Sequence, residues 1–415
     1  MVKILCYLTL FTSIAKPPSI VPGLPFGENV FFVLASLTIV AFAMDRFMRG
    51  MPLGKLPQRK YVYALVVVYA LSIAQSGWFG GTIEILAIWA KIAIVFTLVV
   101  DASDTSRDVR RLLFTVVAAV TVLAWAGWHM YLYEPELMQA QGRLQSVGNY
   151  NLSNSFALAL TVASPLAFAL LVTARGFSAK VVYFLLIWGF ALSSVYTKSR
   201  GGNLGFAFAV LASIILSRGI RSRTFKGLLV GGAIVGIMAS VPVILSRGDV
   251  QTYFGGDSSA EDRLEVWVAG VKMIRDHPLL GVGYTQFPDH LSDYGVEKKM
   301  LAHNTLLSVT AETGLSGGLL FVMIVVTTWR SLWRVWRAAS RDPAQHDLAC
   351  LTQGVMIGLV AFLINTNFSV KDADPIYWAI LGVAGSIVVL HTRLSGEAGA
   401  APDTPAGSTA PATSH

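Results

Sequence analysis

Apolar runs separated by short polar stretches recur along this chain, at 2–15, 29–45, 61–78, 82–100, 112–132, 152–174, 181–197, 203–217, 228–245, 306–329, 348–368 and 376–392. Most approach the length a helix needs to cross ~30 Å of hydrocarbon. None shows the strict every-second-residue alternation of a membrane barrel strand. The pattern predicts an all-α, polytopic membrane protein with about 12 transmembrane helices. The first run follows Lys3 and is short, so it reads as an uncleaved helix or, less favoured, as a signal peptide cut near Ala15.

One long interval, 246–305, interrupts this rhythm. Asp257, Ser258 and Ser259 are capping residues, and Glu261 stands three residues after Ser258 as a capping-box partner. Leu264, Trp267, Val268, Val271 and Ile274 then recur at helical spacing. Pro278 disfavours helical geometry at His277 and closes that amphipathic helix. Gly281 and Gly283 permit a tight loop, and His303-Asn304-Thr305 stands where the next apolar run begins. Residues 395–415 are rich in Ala, Pro, Gly, Ser and Thr and read as a disordered tail behind a membrane-embedded domain at 1–394.

Composition changes the picture little. The chain is 54% hydrophobic and 13% charged over 415 residues, too few charges for a soluble protein of this size. A net charge of +8 raises nucleic acid as a partner, but the placement of the charges excludes it. Arg46, Arg49, Lys55, Arg59 and Lys60 fall in one polar turn, and further basic groups fall in alternate turns at 107–111, 175–180, 218–226 and 330–341. The positive-inside rule puts these turns, and both termini, in the cytoplasm. The 246–305 loop then lies on the outer side. Cys6 and Cys350 both lie in apolar runs, which argues against a disulfide framework or a thiolate metal site.

The candidate chemistry lies on the outer side. Lys91 falls near mid-membrane, where an ionisable group must face a polar cavity or a partner such as Glu84 two turns away. Arg143, followed by Asn149-Tyr150-Asn151, can hold a phosphate or sugar, or the asparagines simply cap a helix. Lys198-Ser199-Arg200-Gly201-Gly202 places positive charge in a short outer turn, against the charge rule. That calls for an anionic partner at a helix start, or for an arginine snorkelling to headgroups. Arg263 either serves such a site or pairs with Glu261 and Asp262. His303 is a helix cap or a base. Asp372 and Asp374 form a D-x-D triplet, which fits Mg²⁺ on a diphosphate, a solvated turn, or a carboxylate that orients His303 or a sugar. Around His277, His290 and His303 no metal-ligand spacing is present, so no metal is expected.

The run R-x3-W, then I-R-D-H-P-L-L-G-V-G-Y-T-Q-F and H-N-T-L-L-x4-E-T-G-L-S-G, resembles the O-antigen ligase and polymerase superfamily. S-R-G-G at 199–202 and N-Y-N at 149–151 fit the same order. Tyr150 departs from the proline that many relatives carry there. The resemblance implies a membrane-embedded glycosyltransferase of the bacterial inner membrane. It would move O-antigen polysaccharide from undecaprenyl diphosphate to lipid A-core at the periplasmic face, without metal or cofactor. Arg200 and Arg263 match the family arginines, and His303 matches the family histidine. Fixed guanidinium groups can stabilise a diphosphate leaving group, and a histidine can act as base near neutral pH. With no nucleophile evident, inversion is expected. Arg143, Asn151, Lys91, Asp372 and Asp374 are the further candidates for substrate binding. An O-antigen polymerase or protein O-oligosaccharyltransferase shares the donor and differs in acceptor. A transporter would show internal repeats and helices interrupted at mid-membrane, and the sequence has no clear repeat.

Overall fold

The computed structural model describes residues 1–21, 23, 27–75, 77, 79–137, 142–220, 222–245 and 260–399. Within them run thirteen α-helices: α1 Val2–Ala15, α2 Val30–Arg49, α3 Arg59–Gln75, α4 Phe79–Val100, α5 Ser106–Tyr133, α6 Ser153–Thr173 and α7 Phe177–Tyr196; then α8 Arg200–Leu216, α9 Arg223–Leu245, α10 Ala260–Asp276, α11 Thr305–Ala339, α12 His346–Asn365 and α13 Pro375–Gly399. Twelve coincide with the apolar runs, and α10 is the amphipathic helix of the long loop. Among the described residues nine helices are long and apolar enough to cross a membrane unaided, and α1 and α8 are shorter apolar helices. The chain is a polytopic α-helical membrane protein.

The centre of the bundle is α6 packed on α12, with α5, α7 and α8 around α6. Close approach depends on small residues. A Cβ at Gly354 would overlap Ala169, and one at Gly358 would sit 2.8 Å from Ile380. In a bilayer, packing of this kind replaces the hydrophobic drive that holds helices together in water. α13 packs on α4 and α11 on α3, while α9 lies at the rim against α7 and α8 with none of its length buried.

The polar turns sort to two ends. At one, the buried carboxylate of Asp101 accepts from Arg59 (2.6 Å), Arg393 (3.2 Å) and the Gly54 N–H (2.8 Å), with Arg46 at 3.6 Å. Several guanidinium partners are what a buried anion requires. The same end holds the Arg110–Asp347 pair at 2.7 Å. The basic turns that were expected to share a side therefore share an end. The opposite end holds 134–137, 142–152, 197–200, 260–304 and 366–374, and it also holds every non-glycine residue with positive φ among those described: Lys16, Lys198, Thr285 and His303. Left-handed backbone at side-chain-bearing residues is strained and concentrates at functional sites.

Two features differ from the sequence expectation. α11 is not one continuous helix, because Gly314 (φ 70°, ψ −174°) breaks it. The gap is filled by the loop after α10. Val282 and Gly283 N–H donate to the Ala311 and Glu312 carbonyls (3.0 and 3.1 Å), and Leu315 N–H donates to the Pro278 carbonyl (2.8 Å). From α3, Ser72 donates to the Glu312 carbonyl (2.6 Å) and Gln75 to the Gly281 carbonyl (2.7 Å). The second difference is at α13, which runs to Gly399, past the expected start of the tail at 395. Residues 400–415 and the proposed caps Asp257, Ser258 and Ser259 lie outside the described residues.

Candidate functional site

The loop between α12 and α13 organises the polar end. At its start, Phe368 lies against the first turn of α8, so that a Cβ on Gly201 would fall 2.7 Å from the Phe368 ring. On both sides of Phe368, the loop grips the start of α11. Thr305 N–H donates to the Thr366 carbonyl (2.9 Å), the Thr305 hydroxyl donates to the Ser369 carbonyl (2.8 Å), and Lys371 N–H donates to the Thr305 hydroxyl (3.0 Å). Arg200 opens α8 and His303 directly precedes the cap of α11, so one loop joins the segments that carry them.

Each residue is set locally. Ser199 caps α8 by accepting the Gly202 N–H at 3.2 Å, leaving the Arg200 side chain exposed on the first turn. Asn304 caps α11 by accepting the Leu307 N–H at 3.0 Å, and His303 takes a left-handed φ of 50° just ahead of it. Arg263 is half-buried on the first turns of α10. One helical turn on, the Trp267 indole N–H donates to the carbonyl of Ala302, the residue before His303 (2.8 Å). The contact face of α10 is not the large apolar stripe read from the sequence. Leu264, Val268 and Val271 stay exposed, whereas Val266, Ala269 and Met273 are buried, with Gly270 against Phe287 and Leu307. Small residues at 269 and 270 let α10 approach α11 more closely than the bulky stripe would.

The other candidates divide. Arg143 is buried, and its guanidinium donates to the Thr197 carbonyl (2.9 Å) and Asn154 Oδ1 (2.7 Å). Leu144 N–H donates to the Tyr196 carbonyl (2.9 Å). This arginine braces the turn that leads to Arg200. Asn151 is exposed behind the 3-10 turn Gly148–Tyr150, and Asn149 within that turn lines a groove instead. The same groove takes Lys91, Asp372 and Asp374. Lys91 rests its ammonium over the Phe32 ring at 4.3 Å, and no ion pair joins it to exposed Glu84. Outside this cluster, His290 pairs with Asp293 (2.9 Å) and Lys299 with Asp289 (2.6 Å). Among the described residues no three His, Cys, Asp or Glu side chains converge.

Asp372 and Asp374 are buried and well bonded. Tyr69 and Tyr284 hydroxyls donate to Asp372 Oδ2 (3.0 and 2.9 Å), and the Tyr150 hydroxyl and Ile376 N–H donate to Asp374 Oδ1 (3.1 and 3.0 Å). Burial raises both carboxyls above the ordinary carboxylate range. The Tyr284 and Tyr69 hydroxyls oppose this at Asp372, and the Lys371 ammonium, 3.9 Å away, opposes it at Asp374. The aromatic wall of Tyr69, Trp89, Tyr284 and Trp378 around Asp372 was not legible in the sequence, and Glu312 was legible as a motif position without a role. Glu312 is buried on α11, close to Ser308 and to the backbone of Thr285 and Phe287. Its sequence signals are the E-T-G-L-S-G motif and a carboxylate inside an apolar run.

Residues 184–322 match the family model described as O-Antigen ligase, and Arg200, Arg263 and His303 all fall inside that stretch. The resemblance carried by the motifs is thus shown there. A protein of Rickettsia bellii, provisionally named a polysaccharide ligase, is 26% identical over 226 residues, covering 51% of this chain and 50% of its own. The exopolysaccharide production protein ExoQ of Rhizobium meliloti is 25% identical over 279 residues, covering 62% of this chain and 61% of its own. A provisionally named polysaccharide ligase of Rickettsia felis is 24% identical over 234 residues, 53% and 55% of the two chains. The chain spans about half the length of the curated relatives it matches.

Proposed function

We propose that this protein is a glycosyltransferase of the O-antigen ligase type. It transfers polysaccharide from undecaprenyl diphosphate to a hydroxyl of lipid A-core, at the periplasmic face of the inner membrane. The observation that carries the proposal is the joining of the His303 and Arg200 segments by the 366–371 loop, with α10 bringing Arg263 alongside through Trp267. A diphosphate leaving group gathers negative charge as the glycosidic C–O bond breaks. Arg200 and Arg263 approach it from different helices and stabilise that charge without a metal. The imidazole of His303 takes the acceptor hydroxyl proton as the oxygen attacks the anomeric carbon, and undecaprenyl diphosphate leaves with the bonding electrons. A single direct displacement inverts the anomeric centre.

The basic end faces the cytoplasm in this reading. A cysteine at Ser292 should then react with an impermeant thiol reagent from the periplasm, and one at Ser222 should not. The similarity to ExoQ, an exopolysaccharide production protein, favours one alternative, a glycan acceptor in place of lipid A-core. The decisive assay gives the purified protein undecaprenyl-diphosphate glycan with lipid A-core, a short lipid-linked glycan, or a pilin-like peptide, in the presence of EDTA. Transfer to lipid A-core alone supports the ligase. Transfer to the glycan or the peptide replaces it with a polymerase or a protein O-oligosaccharyltransferase, and activity recovered only on adding Mg²⁺ refutes the metal-free mechanism.

A further inference from the structure

A second cationic place lies on the other side of the 366–374 loop. Lys16, Lys91 and Lys371 line one groove of about 630 Å³ with Asn149, Asp372 and Asp374. That volume is in the range of sites for small organic ligands. Lys16 directly follows α1, Asn29 directly precedes α2, and Pro375 opens α13, so three helix ends meet the flank of α4. Lys91 is roughly 18 Å along α4 from Phe79 at 1.5 Å per residue. Lys91 therefore lies well below the outer end of α4, and the groove is a notch in the side of the bundle beside it. Its flank carries Phe31, Phe32, Ile88, Ile92 and Val95, of which Phe32 (45%) and Ile88 (39%) are exposed.

The charges in the notch are unequally engaged. The two carboxylates turn oxygens to Tyr69, Tyr284 and Tyr150, which are protein groups. Lys371 donates to the Ser155 hydroxyl at 2.6 Å. The contact that the Lys91 ammonium makes is the face of Phe32. An ammonium at membrane depth, in a polar notch open toward lipid, suits an anion that arrives attached to a hydrocarbon tail. Lysine acts on phosphate as a point charge, without the paired geometry that arginine imposes.

We propose that this notch binds the phosphate of a membrane lipid other than the glycan donor, and that this lipid is the acceptor, a phosphorylated glycolipid. The assignment as acceptor rests on the transfer reading above; the binding site itself does not. The arginines of the donor face and the lysines of the notch are then two anion sites back to back. Lys371 lines the notch while its N–H holds Thr305, two residues from His303.

The test uses the whole protein in phosphatidylcholine nanodiscs, with direct binding measurements. Lipid A with its phosphates should bind at least tenfold more tightly than dephosphorylated lipid A. Lys91→Met should weaken it by at least tenfold, Lys91→Arg should hold it within threefold, and neither should shift the affinity for undecaprenyl diphosphate. Arg200→Lys should show the reverse pattern. Lys16→Gln, at a helix end, should also weaken phosphorylated lipid A, so a misfolded Lys91 variant does not shield the proposal. Unchanged lipid A binding in both lysine variants overturns the site. An equal loss of undecaprenyl diphosphate assigns the notch to the donor, and displacement of lipid A by equimolar phosphatidylglycerol reduces it to a general lipid contact; either result refutes the proposal. If the lipid pattern holds while no acceptor is glycosylated, the transfer reading fails and the phosphate site stands.

Discussion

Gly314→Ala offers a strong test of how the outer loop is held. The residue has φ 70° and ψ −174°, a region open in practice to glycine alone. Placing alanine there costs about 1–3 kcal/mol in backbone strain. The methyl group would also overlap the backbone of Leu279 and Leu280, which cannot swing aside as a side chain can. Relief requires the 278–283 loop to leave the break. That releases the bonds Val282 to Ala311, Gly283 to Glu312, Leu315 to Pro278 and Ser316 to Leu279. At about 0.5–1.5 kcal/mol net for each hydrogen bond, the loss is about 2–6 kcal/mol. Either route takes a large part of the 5–15 kcal/mol that is typical of a folded domain. Gly295→Ala is the control, since Gly295 has φ 85° but nothing within 4 Å of the added Cβ. Hydrogen exchange at 279–283 and thermal unfolding in detergent measure the two contributions. Gly314→Ala should raise exchange in the loop and lower the unfolding midpoint well below that of Gly295→Ala, with transfer reduced at least tenfold. Equal midpoints and unchanged loop protection would refute the interlock.

Other expectations concern the chemistry. His303→Ala should slow single-turnover transfer by about 10²–10⁴-fold while sparing donor affinity, the usual worth of a general base. Lost donor binding, or transfer within a few-fold of the parent, would make His303 a phosphate ligand or a cap. Arg143→Lys loses the fork that holds Thr197 and Asn154, so it should weaken donor binding through Arg200 with little change in the affinity for phosphorylated lipid A; equal effects on both would mark a purely structural brace. The raised pKa of Asp372 means that the folded state holds its proton more tightly than the unfolded state does. Stability from this group is full below its ordinary value of 3.8 and is lost as pH rises through the raised one. Asp372→Asn should therefore flatten the stability profile above pH 3.8, and an unchanged profile would show that the carboxyl is not stabilised as the neutral acid.

The twelve apolar runs announced twelve helices because hydrophobic length alone decides which segments enter a bilayer. The break in α11 was hidden. The run around E-T-G-L-S-G has the hydropathy of a helix, and what stabilises the break is a set of partners about 30 residues upstream and on α3. At the site, Arg200, Arg263 and His303 were legible as motifs. The joining of the Arg200 and His303 segments was not, because it depends on Phe368 and Thr366 in a loop that reads as an ordinary polar turn. Asn149 lies within one 3-10 turn and Asn151 directly follows it, and the pattern N-Y-N gave no way to tell which one lines the groove. Glu312, Tyr69 and Trp89 lie within apolar runs, where sequence cannot separate a core side chain from one that buttresses a carboxylate.

Asp101 and α13 bear on how the molecule can be made. α4 finds its main partner in α13, and the Asp101 carboxylate at the foot of α4 finds one of its guanidiniums at Arg393, 292 residues later. α3 likewise waits for α11 and α6 for α12. A ribosome adding residues at ~5–20 per second delivers α13 about 15–60 seconds after α4. During that interval the early helices stand in the bilayer with a half-compensated aspartate and an unfilled aromatic face. The early half therefore behaves as a client that needs shelter until the late half arrives, and a nascent chain stopped before α13 should be a preferred target of membrane quality-control proteases.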